Sequence, residues 1–304
     1  MQLSKIAKNR WNKAVVVCGG NHATNSYDGL LENPNIDYVI RGEAELSLTE
    51  FVNNRILGQD KSIQGVLDRK KIMEITSKKE PDQSPQLKRE IPVSSWRWEL
   101  SHLIDNLDEL ATPAYDLIDV EHYIKNGYAD VMFSRGCVYD CSFCATKTIH
   151  GIGMRYKAKE GFHEEVKYLV SELGFRVIEI QDDMVGVHKK QFFDMIDVLR
   201  EFKENAEYIF SNGLSIQYND EETLDAFCSI GMEVFKFSIE SGSEYTMKHM
   251  VKKGAGVDFV KTKRLLNYLR GKNKKVFANF ILGFPGETKE LMKESIEYIF
   301  SCDL

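Results

Sequence analysis

The sequence predicts an α/β protein with a parallel β-sheet, and three observations predict this class. Strand and helix patterns alternate five times through the second half of the chain, polar or glycine-rich turns follow those strands, and a shorter strand–turn pattern occupies the first sixty residues. Consecutive parallel strands need right-handed helical crossovers, so such a sheet is either open or curls into a barrel.

Composition sets the outer limits of the interpretation. The 304 residues are 43% hydrophobic and 28% charged, with a net charge of -6. These values describe a globular chain that is long enough for one large domain or two smaller ones. The longest apolar runs, such as 14–18, are far shorter than the roughly 20 residues of a membrane span. The mildly acidic balance gives no general argument for nucleic acid as a partner.

The first sixty residues carry two strand signals of a doubly wound, Rossmann-like domain. The apolar run 14–18 predicts a buried strand that runs into the pair Gly19-Gly20, and 37–40 predicts a second strand that leads into a helix. A glycine pair after a strand is weak by itself, because such turns bind many ligands or none.

Three regions follow from these patterns. We assign residues 1–57 to a partial domain of the Rossmann-like kind and 58–128 to a connector with local structure, which includes the polar stretch 76–90. Residues 129–304 carry the five strand–helix patterns.

The second half is assigned from the spacing of its apolar residues. The predicted strands are 131–134, 177–180, 208–210, 234–239 and 276–282. Each is followed by apolar residues at helical spacing, within 162–173, 192–202, 219–231, 259–269 and 291–299.

Function in such a sheet is expected at the carboxyl ends of the strands. The turns there are polar or rich in glycine, at 134–144, 181–183, 211–213, 240–243 and 283–288. Each turn also has a structural interpretation, because Asp182 and Asp183 can cap a helix, Glu240 can form a salt bridge, and Gly283 and Gly286 can satisfy turn geometry. Five such turns on one edge, one of them carrying three thiols, favour a binding site.

The first of these turns holds Cys137, Cys141 and Cys144, separated by three and then two residues. Thiolates are soft ligands suited to iron–sulfur clusters or zinc, and thiols this close in sequence can turn toward one centre. A cluster of four irons normally takes four cysteines, so three would leave one iron with an open position for a cofactor or a substrate.

Other interpretations of the cysteines compete with a cluster. Six cysteines spread over 304 residues, without an apolar signal segment at the N-terminus, do not match the disulfide framework of a small secreted chain. A structural zinc site would need a fourth ligand, for which His150 is the nearest candidate, and zinc sites usually use paired Cys-x-x-Cys units. Cys18, Cys228 and Cys302 have the surroundings of ordinary apolar residues.

From about residue 130 to the C-terminus, these motifs resemble the radical S-adenosylmethionine (radical SAM) superfamily in its cobalamin-associated branch. The three-cysteine loop with its flanking 134–136 and Phe143 resembles the superfamily's signature, and 180–183, 238–243 and 281–288 resemble later landmarks. The resemblance implies a partial (β/α) TIM-like barrel, preceded by part of a Rossmann-like cobalamin-binding domain.

The resemblance also implies cofactors and the residues that bind them. Cys137, Cys141 and Cys144 would hold a [4Fe-4S] cluster whose fourth iron binds SAM. One electron from the cluster would cleave SAM to methionine and a deoxyadenosyl radical that abstracts a substrate hydrogen. The implied SAM contacts are Phe143 near the adenine, Asp182 and Asp183 at the methionine amino group, Glu240 at the ribose with Ser241 beside it, Gly283 and Gly286 at the adenine, and Arg155 at the carboxylate. Phe143 could equally be a packing residue, and Arg155 could equally be structural.

At the N-terminus, 19–24 and 39–45 resemble the later part of a cobalamin-binding domain. The resemblance implies that Gly19 and Gly20 approach the nucleotide tail of cobalamin. The Asp-x-His-x-x-Gly ligand motif is absent, so His22 is interpreted as a loop residue and not as a cobalt ligand.

We therefore expect a cobalamin-dependent radical SAM enzyme, most plausibly a methyltransferase that acts on an unactivated carbon or phosphorus centre. A radical cyclase or rearrangement enzyme is the alternative among enzymes, and a zinc or iron–sulfur binding module is the alternative outside them. A tRNA methylthiotransferase is disfavoured, since the chain lacks a second N-terminal cysteine set and a basic bias.

Partners and context follow from the same resemblance. A small-molecule substrate and an external electron donor of the flavodoxin or ferredoxin type are the expected partners. An oxygen-sensitive cluster in a chain without an export signal predicts a cytoplasmic location. The N-terminus starts partway through the cobalamin-domain pattern and five units are present where six are usual, so we expect a fragment of a longer protein.

Overall fold

The computed structural model describes residues 2–77, 102–253 and 258–303. The chain divides into two compact units. The first consists of Met1–Asp105 with Ala145–Gly151, and the second of Asn106–Cys144 with Ile152–Leu304. The chain therefore leaves the second unit after Cys144, adds one short segment to the first unit, and returns to the second at Ile152.

The predicted limits at 57 and 128 stay predictions, and residues 78–101 of the predicted connector 58–128, with most of its polar stretch 76–90, lie outside the described residues. Among the helices in the described part of the chain, none is both long enough and apolar enough to cross a bilayer.

The first unit is built on a three-stranded sheet. Its elements up to residue 77 are α1 (Gln2–Arg10), β1 (Val17–Cys18), α2 (Asn21–Asn25), α3 (Tyr27–Leu31), β2 (Tyr38–Ile40), α4 (Glu45–Ile56), β3 (Val66–Leu67) and α5 (Arg69–Ser77). Strand β2 lies in the middle, parallel to β1 and antiparallel to β3. Val39 and Ile40 of this central strand are fully buried, on opposite faces of the sheet.

The predicted buried strand at 14–18 is wrong in its length. Only Val17 and Cys18 form β1, and Val15 is 42% exposed. The Val16 amide donates to the Asp37 carboxylate at 2.7 Å, and the same carboxylate pairs with Lys8. A side chain therefore takes the amide that a longer strand would use in its ladder.

The second unit contains the predicted strand–helix pairs. Its elements, together with the short helix of the inserted segment, are α6 (Val120–Asn126), β4 (Ala129–Val131), β5 (Ser134–Arg135), α7 (Thr146–Ile149, in the first unit), β6 (Arg155–Tyr156), α8 (Lys159–Lys167), β7 (Val177–Ile180), α9 (Lys189–Glu201), β8 (Glu207–Ile209), α10 (Glu221–Ser229), β9 (Val234–Glu240), α11 (Glu244–Thr246), α12 (Phe259–Gly271), β10 (Lys275–Phe280) and α13 (Lys289–Ser301). Strands β7, β8 and β9 are each followed by a helix that leads to the next strand, and β10 is followed by α13.

The parallel strands fall into two groups. Strands β4, β7 and β8 form one parallel sheet in the order β4-β7-β8, and β9 pairs with β10 in a second. A single parallel bridge between Leu214 and Phe237 connects the chain after β8 to β9. Over the described residues these strands do not close into a barrel, and the architecture is α/β.

Helices cover one face of these strands. In β9 the alternate residues Phe235, Phe237 and Ile239 are buried, and α9 contributes Phe192 and Ile196 to the same core. Each fully buried side chain of this size contributes about 1.5–3 kcal/mol to stability. Because side chains alternate between the two faces of a strand, the residues between these buried ones lie on the opposite face of β9.

Polar caps begin the helices that follow the strands. The Asp220 side chain accepts a hydrogen bond from the Thr223 amide at the start of α10, and the Asp220 amide donates to the Thr223 hydroxyl. Asp258 and Thr288 cap α12 and α13 in the same way. A cap of this kind satisfies amides that the first helical turn leaves unpaired.

The first predicted strand of this region, 131–134, is divided in the structure. Strand β4 ends at Val131, and Ser134 begins β5, which pairs antiparallel with β6. Between them the Phe133 amide donates to the Asp182 carboxylate at 2.8 Å, and the Phe133 carbonyl accepts from the Lys157 amide. The chain therefore leaves the parallel sheet before the cysteine loop begins.

Candidate active site

The loop with the three cysteines projects from the β5–β6 ribbon. The Gly153 amide donates to the Cys137 carbonyl at 3.0 Å, and the Cys144 amide donates to the Cys141 carbonyl at 3.1 Å. Gly136, just before the loop, has a φ of +97°, which favours glycine. Both ends of the loop are thus held by backbone hydrogen bonds.

The three thiols lie in a partly apolar setting. Cys141 is buried, and Cys137 and Cys144 are half-buried, in a cluster that includes Tyr139 and Met184. Burial raises the pKa of the Cys137 thiol, and the neighbouring Cys144 raises it further. Burial also raises the pKa of Cys141, to about 12. Without a metal the thiols of Cys137 and Cys141 therefore stay protonated near neutral pH, and a metal that binds them must displace their protons.

The donor set is of the kind that iron–sulfur clusters use, because three soft thiolates lie within one loop. Among the described residues, no three His, Cys, Asp or Glu side chains are placed to hold one metal ion. The predicted role of Cys137, Cys141 and Cys144 as cluster ligands stays a prediction.

Asp182 follows β7 and faces inward. Its side chain accepts from the Phe133 amide at 2.8 Å and from the Ser134 hydroxyl at 2.5 Å, and the residue is 4% exposed. Burial raises the pKa of Asp182 to about 7, although these hydrogen bonds lower it. The carboxyl thus holds the turn that leads into the cysteine loop, and its predicted contact with SAM stays a prediction.

Asp183 is half-buried and contacts the loop directly. Its carboxylate accepts from the Gly136 amide at 3.0 Å, next to Cys137. Of the two adjacent aspartates, Asp183 is therefore the one whose carboxylate reaches the cysteine loop.

Glu240 ends β9 in an unusual backbone conformation. Its φ of +74° lies in the left-handed region, which is uncommon for residues other than glycine and is often found at functional sites. The Ile281 amide donates to its carbonyl at 2.8 Å, where the register between β9 and β10 shifts. These features hold the Glu240 side chain at the carboxyl end of the strand.

Lys253 pairs with Glu240 inside the protein. The Lys253 ammonium lies 3.0 Å from the Glu240 carboxylate and donates to the Ser238 carbonyl at 2.6 Å. The side chains are 6% and 10% exposed. Sequence reasoning missed Lys253, because two adjacent lysines usually form a solvated surface and nothing in the spacing separates Lys253 from Lys252.

Ser241 and Gly242 bring α13 against this end of β9. The Ser241 hydroxyl lies 2.8 Å from that of Ser295, which also accepts from the Gly242 amide at 3.1 Å. A Cβ on Gly242 would lie 2.4 Å from the Tyr298 Cβ. Ser241 is fully buried in this packing, and its predicted place among the cofactor-binding residues stays a prediction.

The turn after β10 contains Gly283, with a φ of +86°, and Gly286, with a φ of +88°. A Cβ on either would meet no atom within 4 Å. The Glu287 carboxylate closes the turn by accepting from the amides of Gly283 at 2.6 Å and Phe284 at 3.1 Å. Left-handed geometry alone accounts for both glycines, and the open space beside them leaves room for a ligand.

The cysteine loop contacts several other segments of the second unit. The Ser142 amide donates to the Val251 carbonyl at 3.0 Å, near Lys253, and the Tyr139 hydroxyl lies 3.4 Å from Ser215 in the turn after β8. The ring of Phe143, 47% exposed, lies 6.1 Å from that of Phe284. With the contact of Asp183, the loop therefore reaches the turns after β7, β8 and β10, and the segment that follows α11.

Arg155 lies on β6, opposite Arg135 in the ribbon that carries the loop. It is half-buried, and its predicted contact with the SAM carboxylate stays a prediction.

The predicted cobalamin residues lie in the first unit. Gly20, with a φ of +87°, precedes α2, and a Cβ there would meet no atom within 4 Å. Gly19 is as open, with only the Ile40 carbonyl at 4.0 Å. His22 is exposed within α2, not in a loop as predicted.

Buried polar groups connect the helix after this glycine turn to residues 41–43. The Gly42 amide and the Arg41 side chain donate to Thr24 at 3.0 Å each. Glu43 accepts from the Ile104 amide at 2.6 Å and lies 2.9 Å from the His150 ring. The two segments that resemble a cobalamin-binding domain are thus joined directly.

The sequence was compared with protein-family models and with known proteins. The family model of the radical SAM superfamily matches residues 131–299, more than half of the chain. An uncharacterized methyltransferase of Pyrococcus horikoshii is 30% identical over an alignment that covers 99% of this chain and 61% of that protein. Cytidylyl-2-hydroxyethylphosphonate methyltransferase of Streptomyces wedmorensis is 27% identical, with 97% and 58% covered.

Among solved structures, the radical S-adenosylmethionine methyltransferase TsrM of Kitasatospora setae, with cobalamin and a [4Fe-4S] cluster bound, matches with a TM-score of 0.74. The identity is 18%, and the match covers 99% of this chain and 58% of that one. At this identity the match shows a shared α/β fold.

The chain belongs to the radical SAM superfamily. It spans about three fifths of the length of the two curated relatives, with 61% and 58% covered.

Proposed function

We propose that this chain forms the cofactor-binding part of a cobalamin-dependent radical SAM methyltransferase. The observation that carries the proposal is the cysteine loop, which contacts the turns after β7, β8 and β10 and the Val251 carbonyl, in a chain of the radical SAM superfamily. Both curated relatives described above are named methyltransferases, and the structure of TsrM holds cobalamin. The finer fold belongs to the proposal too: residues 129–304 as a partial (β/α) barrel and 1–57 as part of a Rossmann-like cobalamin-binding domain.

Cys137, Cys141 and Cys144 would hold the cluster, since their thiols fit a centre of several irons and lie within one loop. When bound and reduced, the cluster supplies the electron that cleaves SAM, and cobalamin supplies a carrier for the methyl group. The apolar surroundings of Tyr139 and Met184 exclude water from the thiol side of this centre.

The chain's own residues would bind and orient SAM. Asp183, beside Cys137, offers a carboxylate to the methionine amino group, and Glu240 offers one to the ribose hydroxyls. Phe143 and the open turn with Gly283 and Gly286 would enclose the adenine. Asp182 would position the loop, because both of its oxygens already accept hydrogen bonds from residues 133 and 134.

In the first unit, the open turn at Gly19 and Gly20 would approach the nucleotide tail of cobalamin. The proposed substrate is a small molecule with an unactivated carbon or phosphorus centre, and the proposed electron donor is a flavodoxin or ferredoxin in the cytoplasm.

The test is anaerobic reconstitution of the protein with iron and sulfide, followed by reductant, SAM and hydroxocobalamin. We expect a brown protein with about four irons per chain, and formation of S-adenosylhomocysteine and 5′-deoxyadenosine. The variant in which all three loop cysteines are alanine is the control and should hold no cluster. A colourless protein that binds zinc would contradict the proposal, and deoxyadenosine without S-adenosylhomocysteine would favour the cyclase or rearrangement alternative.

A further inference from the structure

Lys253 is a buried cation with a defined set of partners. Its ammonium contacts the Glu240 carboxylate at 3.0 Å and the Ser238 carbonyl at 2.6 Å, and the residue is 5% exposed. Burying an ammonium costs several kcal/mol unless it is paired and hydrogen-bonded, and these two contacts supply that compensation. The position of the charge is therefore fixed by the fold, unlike that of a surface lysine.

The same ammonium lies beside the cysteine loop. It is 5.8 Å from the centre of the Tyr139 ring, which packs in one cluster with Cys141. The Ser142 amide donates to the carbonyl of Val251, two residues before Lys253, at 3.0 Å. The loop and the Lys253 segment are thus held together on both sides of Cys141.

The charges of the pair act on the cysteines in opposite directions. The positive charge favours negative sulfur, and the carboxylate disfavours it.

We propose that the Lys253–Glu240 pair sets the reduction potential of the iron–sulfur cluster, with Lys253 raising the potential and Glu240 lowering it. The proposal rests on the function proposed above, in which the loop holds that cluster. Net charge and hydrogen bonding near the sulfurs are among the factors that determine cluster potentials. Reduction adds a negative charge, so a buried cation favours the reduced form and a buried carboxylate disfavours it. Burial keeps both effects from being screened by salt.

The experiment is a redox titration of the reconstituted protein, monitored by the electron paramagnetic resonance signal of the reduced cluster, with iron and sulfide content measured on each sample. Lys253→Met should shift the midpoint potential to more negative values, and Glu240→Gln should shift it to more positive values. Lys253→Arg keeps the charge and should keep the potential near that of the wild type. Lys190→Met removes an 80%-exposed lysine and is the matched control, with no shift expected.

A structural role alone would give a different pattern. Lys253→Met and Glu240→Gln would then lower cluster content alike, without shifts of opposite sign, and the inference would be overturned. Equal potentials in all variants at full iron content would overturn it too. A wild-type protein that takes up no cluster would instead contradict the proposed function, so the two failures are distinguishable.

Discussion

Asp182 links the protonation of one buried carboxyl to the stability of the fold. Its pKa is raised to about 7 by burial, whereas an aspartate in the unfolded chain titrates near 3.8. Between these values the folded state holds the proton and the unfolded chain does not. Raising the pH through this window therefore lowers the free energy of unfolding, by about 1.4 kcal/mol for each pH unit.

The variant Asp182→Asn should remove this pH dependence. Its amide oxygen can still accept from the Phe133 amide, and its NH2 group can donate to the Ser134 hydroxyl. Urea unfolding of the cluster-free protein from pH 4 to pH 8 measures the difference, and the variant should gain stability relative to the wild type as the pH rises. A difference that does not change with pH would show that Asp182 is ionised in the folded protein.

At single residues, what the sequence predicts depends on whether the signal is local. The cysteine spacing is a local signal, and the structure brings Asp183 next to Cys137 and Phe284 next to Phe143. Lys253 carries no such signal, because its burial is a consequence of a partner thirteen positions away and of the Ser238 carbonyl.

At the scale of elements, the close approach of α13 to the end of β9 depends on Gly242. A Cβ at this position would lie 2.4 Å from the Tyr298 Cβ and 2.9 Å from the Ser295 Cα. The backbone of α13 would have to move, so Gly242→Ala should lower the free energy of unfolding by about 1–3 kcal/mol. Gly271→Ala is the matched control, since a Cβ at the end of α12 meets no atom within 4 Å. Chemical denaturation of the two variants tests this, and equal stabilities would contradict the packing argument.

The cap of α10 gives a second prediction for an element. The Asp220 side chain accepts from the Thr223 amide at 3.0 Å and pairs with Lys189 at 2.8 Å. Asp220→Ala should therefore cost about 1 kcal/mol, within the usual range for caps of 0.5–2 kcal/mol. Glu221→Ala, one residue later and outside the cap, should cost less in the same thermal or urea unfolding experiment. A larger loss for Glu221→Ala would mean that helix-dipole charge outweighs the cap.

The elements themselves were predictable where burial is periodic. Helix α9 buries Phe192, Met195, Ile196 and Leu199 at helical spacing, and its sequence reports this directly. The division between β4 and β5 was not predictable, because the apolar run 131–133 continues through the point where Asp182 takes the Phe133 amide. The Asp182 side chain, which is distant in sequence, takes the amide that would continue the strand. The periodicity of apolar residues carries no information about this contact.

At the scale of the whole molecule, the segment 145–151 belongs to a different compact unit from the cysteine loop that precedes it. It follows Cys144 directly, yet it belongs to the first unit. Within that unit the Thr148 hydroxyl donates to the Asn25 side chain at 2.8 Å, and His150 lies 2.9 Å from Glu43. Sequence adjacency to the cysteine loop predicts the opposite grouping, because these contacts join residues more than a hundred positions apart.

The unit to which each segment belongs predicts which cofactor will stabilise it. A ligand that binds the folded state stabilises the part it contacts, and hydrogen–deuterium exchange of peptides reports that stabilisation. Loading with iron and sulfide should slow exchange in 137–144 and 182–183. Adding hydroxocobalamin should slow exchange in 19–24 and 41–43, and 145–151 should follow these segments although it adjoins Cys144. His150→Ala should weaken that response in 145–151 while leaving iron content unchanged. If 145–151 instead became protected on cluster loading alone, the cysteine loop and not the first unit would control its stability.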